Sequence, residues 1–250
     1  MAQEAQQEMD WFENWFGSPY YGILYQHRDE QEAQEFVENL LGYLNPPIGC
    51  AMLDIACGEG RFARQLAEHG FDVTGIDISH GSIEIAKAVE EENLHFFVQD
   101  MRLPFYINYF DFAFNFFTSF GYFKYVRDHH LAARSFAAAL KKDGILVIDY
   151  LNLAYVMANM VPEQTVNRGS YTFHITKRLD RKHIIKDINF LDADNKPRHF
   201  TESVAGFTLA DFTQIFETAG LTLSTTFGDY KLSPYNEQAS PRMIMIFKKK

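Results

Sequence analysis

Apolar residues follow two alternating patterns from the amino terminus to Tyr150. From Asp29 to Leu44 they recur at helical spacing, and Asn45-Pro46-Pro47 ends that pattern. Similar spacing predicts helices at 62–67, 82–89 and 128–140, the last of them capped by Gly144. Short apolar runs predict five strands, at 51–56, 71–77, 94–100, 111–117 and 145–149. Strands that alternate with helices predict a doubly wound, mostly parallel α/β sheet with right-handed crossovers.

The pattern changes after Tyr150. Polar and apolar residues then alternate one by one in 170–179 and 183–191, and a turn at 192–197 leads into a further segment at 198–206. Such alternation predicts antiparallel strands that bury one face. Thr208-Leu-Ala-Asp211 is typical of a capping box at the start of a helix, and 221–228 and 243–247 predict a closing pair of strands. We therefore expect an antiparallel β insertion after the fifth strand of the sheet.

The composition is that of a globular protein. Of 250 residues, 47% are hydrophobic and 22% are charged, which fits one large α/β core with an insertion. The net charge of −10 would repel phosphate backbones and anionic lipid surfaces. The sequence shows no secretory signal and no uninterrupted apolar run of membrane-spanning length. We therefore expect a cytoplasmic protein that binds neither nucleic acid nor membrane.

The sequence carries no motif for a metal ion. CxxC and HExxH do not occur, and the adjacent His129 and His130 would point about 100° apart on a helix. We interpret both histidines as surface residues, and we expect no metal site.

Acidic residues stand at the ends of three consecutive predicted strands. Asp54 lies late in the first strand, Asp77 ends the second and Asp100 ends the third. Open parallel sheets bind their ligands at this edge. Gly58 and Gly60, in the turn after the first strand, would let a ligand approach the backbone closely. The ligand site is therefore expected at this edge.

Two kinds of ligand fit the turn. Gly58-x-Gly60-x-x-Ala63 matches the dinucleotide fingerprint, with Asp77 placed to hold a ribose. The carboxylate of Asp54, however, would repel a pyrophosphate and attract a cationic amino group. A ligand that carries an ammonium, a ribose diol and an adenine, but no phosphate, fits the three acids better.

The run Leu53-Asp-Ile-Ala-Cys-Gly-Glu-Gly60, with acids at the ends of the next two strands, resembles the class I S-adenosylmethionine-dependent methyltransferases. The resemblance implies a Rossmann-like sheet of seven strands with a reversed last strand, and S-adenosylmethionine as the cofactor. The sequence departs from the family at Ala56, where glycine is usual. The expected parts are an N-terminal helical lid at 1–47, a cofactor-binding core at 48–153, an antiparallel β insertion at 154–206, and a closing helix and hairpin at 207–250.

The expected function is transfer of a methyl group to a nitrogen or oxygen atom of a small-molecule acceptor. The β insertion would cover the substrate or form a homodimer contact. Two alternatives stay open at this stage: an NAD(P)-dependent oxidoreductase that uses the glycine fingerprint, and a non-catalytic cofactor-binding protein.

The resemblance assigns contacts to the cofactor residue by residue. Gly58 and Gly60 would form the floor beneath it, and Asp54 would lie beside its methionine end. Asp77 would accept hydrogen bonds from the ribose hydroxyls, and Asp100 from the adenine amino group. The other expected contacts are Ala56, Ile78, Met101, Phe116 and Phe117.

The amino-terminal stretch implies a lid. Tyr21-Gly-Ile-Leu-Tyr25-Gln-His-Arg28 resembles the lid of bacterial N-methyltransferases that act on amino-deoxysugars. Tyr25 would cover the sulfonium and Arg28 would pair with the cofactor carboxylate. The alternative is that these tyrosines only pack the first helix on the sheet. The expected substrate contacts are Thr118, Ser119, Tyr122 and Arg242.

Methyl transfer from a sulfonium needs alignment and desolvation of the acceptor, and it needs no covalent nucleophile. An amine or hydroxyl acceptor must also lose a proton. The candidate proton acceptors are Tyr25, Tyr150, His174 and Glu202, and the sequence alone places none of them at the site.

Overall fold

The structure, a computed structural model, describes residues 11–25 and 30–250. In chain order the strands are β1 (Ala51–Ile55), β2 (Asp72–Asp77), β3 (Leu94–Val98), β4 (Phe110–Asn115), β5 (Leu140–Leu151), β6 (Glu163–Arg168), β7 (Tyr171–Asp180), β8 (His183–Leu191), β9 (Pro197–Ala205), β10 (Leu221–Phe227) and β11 (Arg242–Lys249). The helices are α1 (Trp11–Phe16), α2 (Pro19–Tyr25), α3 (Glu30–Leu44), α4 (Arg61–Glu68), α5 (His80–Lys87), α6 (Val126–Ala139), α7 (Leu153–Asn159) and α8 (Leu209–Thr218).

Seven strands form the main sheet, in the order β10-β11-β5-β4-β1-β2-β3. The pairs from β5 to β3 are parallel, whereas β11 runs antiparallel to both β5 and β10. This arrangement confirms the expected doubly wound sheet with a reversed last strand. The order of the strands reverses between β1 and β4, and this is where ligands bind in open α/β sheets.

Apolar side chains cover both faces of the main sheet. On one face, Phe136 of α6 and Phe212 and Phe216 of α8 belong to a buried cluster with Leu53 of β1. On the other face, the cluster contains Phe36 of α3 with side chains from α4 and the strands. The sheet is therefore a rigid platform whose carboxyl edge positions the site.

A second, antiparallel sheet follows β5, with strand order β6-β7-β8-β9. Its inner face is apolar because Phe173 and Ile175 of β7 and Ile188 of β8 are buried there. These side chains pack against Trp15 of α1 and Leu24 of α2, and form a small core separate from that of the main sheet. The expected β insertion is thus present.

Two details differ from the expectation. β6 was not foreseen because none of its side chains is buried, so its sequence has no apolar alternation. The helix predicted from residue 128 was expected to run to residue 140 and to be capped by Gly144. In the structure it ends at Ala139, because Leu140 is already extended and pairs with Phe110 of β4. Gly144 lies inside β5.

The interpretation of His129 as a surface residue is wrong. Its side chain is buried among the rings of Phe120, Phe123 and Phe207, at centroid distances of 5.4, 5.2 and 4.9 Å. Burial lowers the pKa of His129 to about 4, so the imidazole is neutral at pH 7. No local pattern indicates this burial, because α8 and the segment before it, which are distant in sequence, close over this face of α6.

In the described ranges, no helix has both the length and the apolar character that crossing a bilayer requires. Within the same ranges, no three His, Cys, Asp or Glu side chains come together as ligands for a metal ion.

Candidate active site

A cleft of about 1260 Å³ lies between the carboxyl edge of the main sheet and the inner face of the second sheet. Helices α1 and α2 contribute Phe16, Tyr21 and Tyr25 to its wall. A single small ligand typically occupies a pocket of about 300–1,000 Å³. The cleft is therefore large enough for a cofactor and an acceptor side by side.

Asp54 supplies a buried carboxylate at the floor of the cleft. It is 1% exposed, and among the described residues its Oδ2 has no hydrogen-bond partner. Burial and the neighbouring Asp77 raise the pKa of Asp54 to about 7. A buried carboxylate oxygen without a hydrogen-bond partner is costly, and a cationic ligand group would compensate it.

The turn after β1 brings backbone close to the cleft. Gly58 has φ +57° and lines the cleft, and Ala56 has φ +61°, a left-handed conformation that favours glycine. Gly60 does not reach the cleft, because it packs on Phe96, where an added Cβ would lie 2.5 Å from the ring. Gly60 thus lets the turn pack closely on Phe96, and its expected place beneath the cofactor stays a prediction.

Asp77 connects two turns at the end of β2. Its Oδ2 accepts a hydrogen bond from the amide of Gly58 at 2.9 Å, and its Oδ1 accepts one from the amide of Ser79 at 2.8 Å. Burial raises the pKa of Asp77, while these amides lower it. Each carboxylate oxygen has a second lone pair, and Asp77 lines the cleft next to Ile78.

Asp100 lies in the cleft wall beside Met101, but its carboxylate is already paired. Arg102 donates from Nε to both oxygens, at 3.1 and 2.8 Å, and its Nη2 lies 2.7 Å from Oδ2. A ligand amino group at this place would share Asp100 with Arg102.

The loop after β4 is held by a buried ion pair. Phe117 and Thr118 have φ values of +58° and +60°. Asp149 of β5 accepts hydrogen bonds from the Phe117 amide at 2.9 Å and from the Tyr230 hydroxyl at 3.1 Å. Arg242 of β11 donates to Asp149 Oδ1 at 2.7 Å and to the Thr118 hydroxyl at 2.9 Å. Arg242 lines the cleft, but Asp149 compensates its charge.

Tyr25 of α2 and Glu202 of β9 meet at the other side of the cleft. The Tyr25 hydroxyl and the Trp15 indole both donate to Glu202 Oε1 at 2.7 Å. Lys186 of β8 donates to the Tyr25 hydroxyl, and its Nζ lies 3.4 Å from Glu202 Oε2. Burial and the Glu202 charge raise the pKa of Tyr25, so the phenol keeps its proton at pH 7.

Two candidate proton acceptors lie outside the cleft, and their expected roles are corrected. Tyr150 is fully buried, donates to the backbone carbonyl of Ala205, and has a pKa that burial raises strongly. His174 lies on the exposed face of β7, with Nδ1 3.3 Å from the Thr165 hydroxyl. Neither residue lines the cleft, so neither reaches a ligand there. Arg28 lies outside the described residues.

The other residues expected at the site all line the cleft. They are Tyr25, Asp54, Ala56, Gly58, Asp77, Ile78, Asp100, Met101, Phe116, Phe117, Thr118, Ser119, Tyr122 and Arg242.

Sequence reasoning missed Lys177 and Lys186, which line the same cleft from β7 and β8. The alternation along β7 could have predicted the position of Lys177, because Lys177 follows the buried Phe173 and Ile175 at every second residue and so lies on the same face of the strand. A lysine at an inward position of a half-buried strand indicates that a polar or charged group lies nearby.

Comparison with known proteins identifies the family. A family model described as a methyltransferase domain matches residues 25–226. The chain therefore belongs to this methyltransferase family, and the resemblance to S-adenosylmethionine-dependent methyltransferases is confirmed, together with the expected cofactor. The match gives no support to the oxidoreductase alternative.

Individual relatives agree with this assignment. Putative methyltransferase YqeM of Bacillus subtilis (strain 168) is 32% identical over 146 residues, which cover 56% of this chain and 59% of that protein. The chain thus spans about half to three-fifths of the length of the first curated relatives it matches, 59% and 48%.

Solved structures share the fold over nearly the whole chain. The CcbJ methyltransferase from Streptomyces caelestis superposes with a TM-score of 0.78 at 16% identity, over 95% of this chain and 98% of that one. The S-adenosylmethionine-bound CalS10, an amino pentose methyltransferase from Micromonospora echinaspora, gives a TM-score of 0.65 at 18% identity, over 90% and 93% of the two chains. At these identities the likeness supports the fold alone.

Proposed function

We propose that this chain transfers the methyl group of S-adenosylmethionine to a nitrogen or oxygen atom of a small molecule held between the main sheet and the second sheet. The observation that carries the proposal is the buried, unpartnered Oδ2 of Asp54 beside Asp77, in a cleft with room for two ligands. A small acceptor is favoured over a nucleic acid because the chain has a net charge of −10.

The acids at the sheet edge suit this cofactor. Asp54 would hold the ammonium of its methionine part, and the free lone pairs of Asp77 would accept from the ribose hydroxyls. Asp100 would accept from the adenine amino group while it keeps its ion pair with Arg102. Ile78 and Met101 would pack on the ring. When bound, S-adenosylmethionine supplies a methyl group already activated by the sulfonium.

The residues opposite the acids suit the acceptor. Glu202 is a candidate destination for the acceptor's proton, because it lines the cleft and its carboxylate is oriented by the Trp15 indole and the Tyr25 hydroxyl. Tyr25 itself keeps its proton, so its proposed part is to orient Glu202 and to exclude water. The second sheet would then act as the substrate cover.

The cofactor site is tested by calorimetric titration with S-adenosylhomocysteine, the product form. We expect micromolar binding to the wild-type protein and binding at least about tenfold weaker to Asp77→Ala, which loses charge-assisted hydrogen bonds. Asp180→Ala is the matched control, since Asp180 is exposed at the end of β7. A folded wild-type protein that does not bind, or equal binding by Asp77→Ala, would contradict the proposal.

The role of Glu202 is tested with an acceptor found by screening amines and hydroxyl compounds with labelled S-adenosylmethionine. Loss of a general base typically costs about 10²–10⁴-fold in rate, so we expect Glu202→Gln to lower kcat by that order. The affinity for S-adenosylhomocysteine should stay within about twofold, because Glu202 lies apart from the acids at the sheet edge. An unchanged kcat in the folded variant would exclude Glu202 as the proton acceptor.

A further inference from the structure

Two lysines lie side by side on the inner face of the second sheet. Lys177 of β7 and Lys186 of β8 are direct partners in the antiparallel register, and both line the cleft. On the other side of β8, Lys186 is the direct partner of Glu202. The three side chains therefore form one row across the sheet, facing the acceptor side of the cleft.

The charges in this row do not balance. Glu202 compensates Lys186, whose Nζ lies 3.4 Å from its Oε2. Among the described residues, the side chain of Lys177 has neither an ion-pair partner nor a hydrogen-bond partner, although Lys177 is only partly exposed. Arg242, another cation that lines the cleft, is compensated by Asp149. One positive charge, that of Lys177, is thus left over in this wall.

Such an arrangement costs stability in the free protein. Like charges directly opposite each other on neighbouring strands repel. The acids at the sheet edge do not relieve this cost, because no ion pair joins any of them to Lys177. A ligand group of negative charge would relieve it.

We propose that Lys177 binds a carboxylate or phosphate group of the methyl acceptor. This inference rests on the proposed function and narrows its substrate class to anionic small molecules. Lys186 adds to the positive potential beside that group while it stays paired with Glu202. The anionic end of the acceptor then lies against β7, and its reacting atom lies toward Glu202 and Tyr25.

The test uses inorganic pyrophosphate and malonate as separate probes, titrated calorimetrically into the protein alone and into its complex with S-adenosylhomocysteine. The two probes distinguish a phosphate from a carboxylate as the recognised group. The variants are Lys177→Gln and Lys177→Arg. Lys196→Gln is the matched control, since Lys196 loses the same charge at the exposed β8–β9 turn and is paired with Asp194.

We expect at least one probe to bind the wild-type protein, and Lys177→Gln to weaken that binding about tenfold or more, the usual effect of losing a hydrogen bond between charged groups. Lys177→Arg should restore most of the affinity, and Lys196→Gln should change it by less than about twofold. The thermal midpoint of Lys177→Gln should equal or exceed that of the wild type, because a like-charge pair is removed.

Two results would overturn the inference: binding of neither probe to either form of the protein, or equal binding by wild type and Lys177→Gln. The proposed function is contradicted by a different result, namely that the wild-type protein does not bind S-adenosylhomocysteine. The protein could bind a probe through Lys177 and yet not bind S-adenosylhomocysteine. That result would support the anion site and contradict S-adenosylmethionine as the methyl donor.

Discussion

Replacing Asp149 with asparagine is expected to lower the free energy of unfolding by about 3–5 kcal/mol, the usual cost of removing one partner of a buried ion pair. Asp149 is fully buried and compensates Arg242 at 2.7 Å. It also accepts from the Phe117 amide and the Tyr230 hydroxyl, and so holds the left-handed backbone at Phe117 and Thr118. Urea unfolding followed by circular dichroism measures the change.

The matched control is Asp143→Asn, on the same strand. Asp143 pairs with Lys248, but both side chains are more than half exposed, at 64% and 53%, so we expect little change in the free energy of unfolding. The double variant Asp149→Asn/Arg242→Gln should recover part of the lost stability, because no uncompensated charge remains. Equal losses for Asp149→Asn and Asp143→Asn would contradict the importance of the buried pair.

Replacing Asp54 with asparagine is expected to stabilise the free protein at pH 8 and to weaken cofactor binding strongly. The pKa of Asp54 is raised from 3.8 to about 7, so the folded protein loses stability as the pH rises through that window. Above pH 7 the ionised, buried Asp54 lowers the free energy of unfolding by its full amount, which is on the order of 4 kcal/mol. Asparagine has no charge to bury, so Asp54→Asn should exceed the wild type in thermal midpoint at pH 8 and match it near pH 4.

Cofactor binding should show the opposite dependence on pH. An ammonium is held by the ionised carboxylate, so the wild-type affinity for S-adenosylhomocysteine should rise by roughly tenfold or more between pH 5.5 and 7.5. The affinity of Asp54→Asn should be low and flat over this range. Asp180→Asn, an exposed carboxylate, serves as the control for both measurements. A wild-type affinity that does not change with pH, or a variant no more stable at pH 8, would refute the assigned charge state of Asp54.

Much of the main sheet could be predicted because its signals are local. Strands β1, β2 and β4 are short apolar runs with an Asp or Asn at or next to the last residue, and the parallel order follows from their alternation with helices. The acids Asp54, Asp77 and Asp100 could be assigned to one edge for the same reason. Each of these predictions depended on residues within one βα unit.

The remaining features depend on contacts between distant parts of the chain. Trp15 and Tyr25 donate hydrogen bonds to Glu202, which lies 187 and 177 positions later in the sequence. No pattern within α1, α2 or β9 predicts those hydrogen bonds. Tyr150 lies next to the last residue of β5, near the edge where ligands bind, but its hydroxyl donates to the carbonyl of Ala205, 55 positions later. The inward position of Lys177 was readable from strand parity, whereas its lack of a partner was not.

The small core shared by α1, α2 and the second sheet also limits how this architecture can be recombined. Phe173, Ile175 and Ile188 are buried against Trp15 and Leu24, so the segments 11–25 and 163–205 form one cohesive unit although the main sheet separates them in sequence. A chimaera that exchanges only the insertion between two methyltransferases would leave an apolar face without its complement. Acceptor specificity is therefore expected to transfer only when both segments move together.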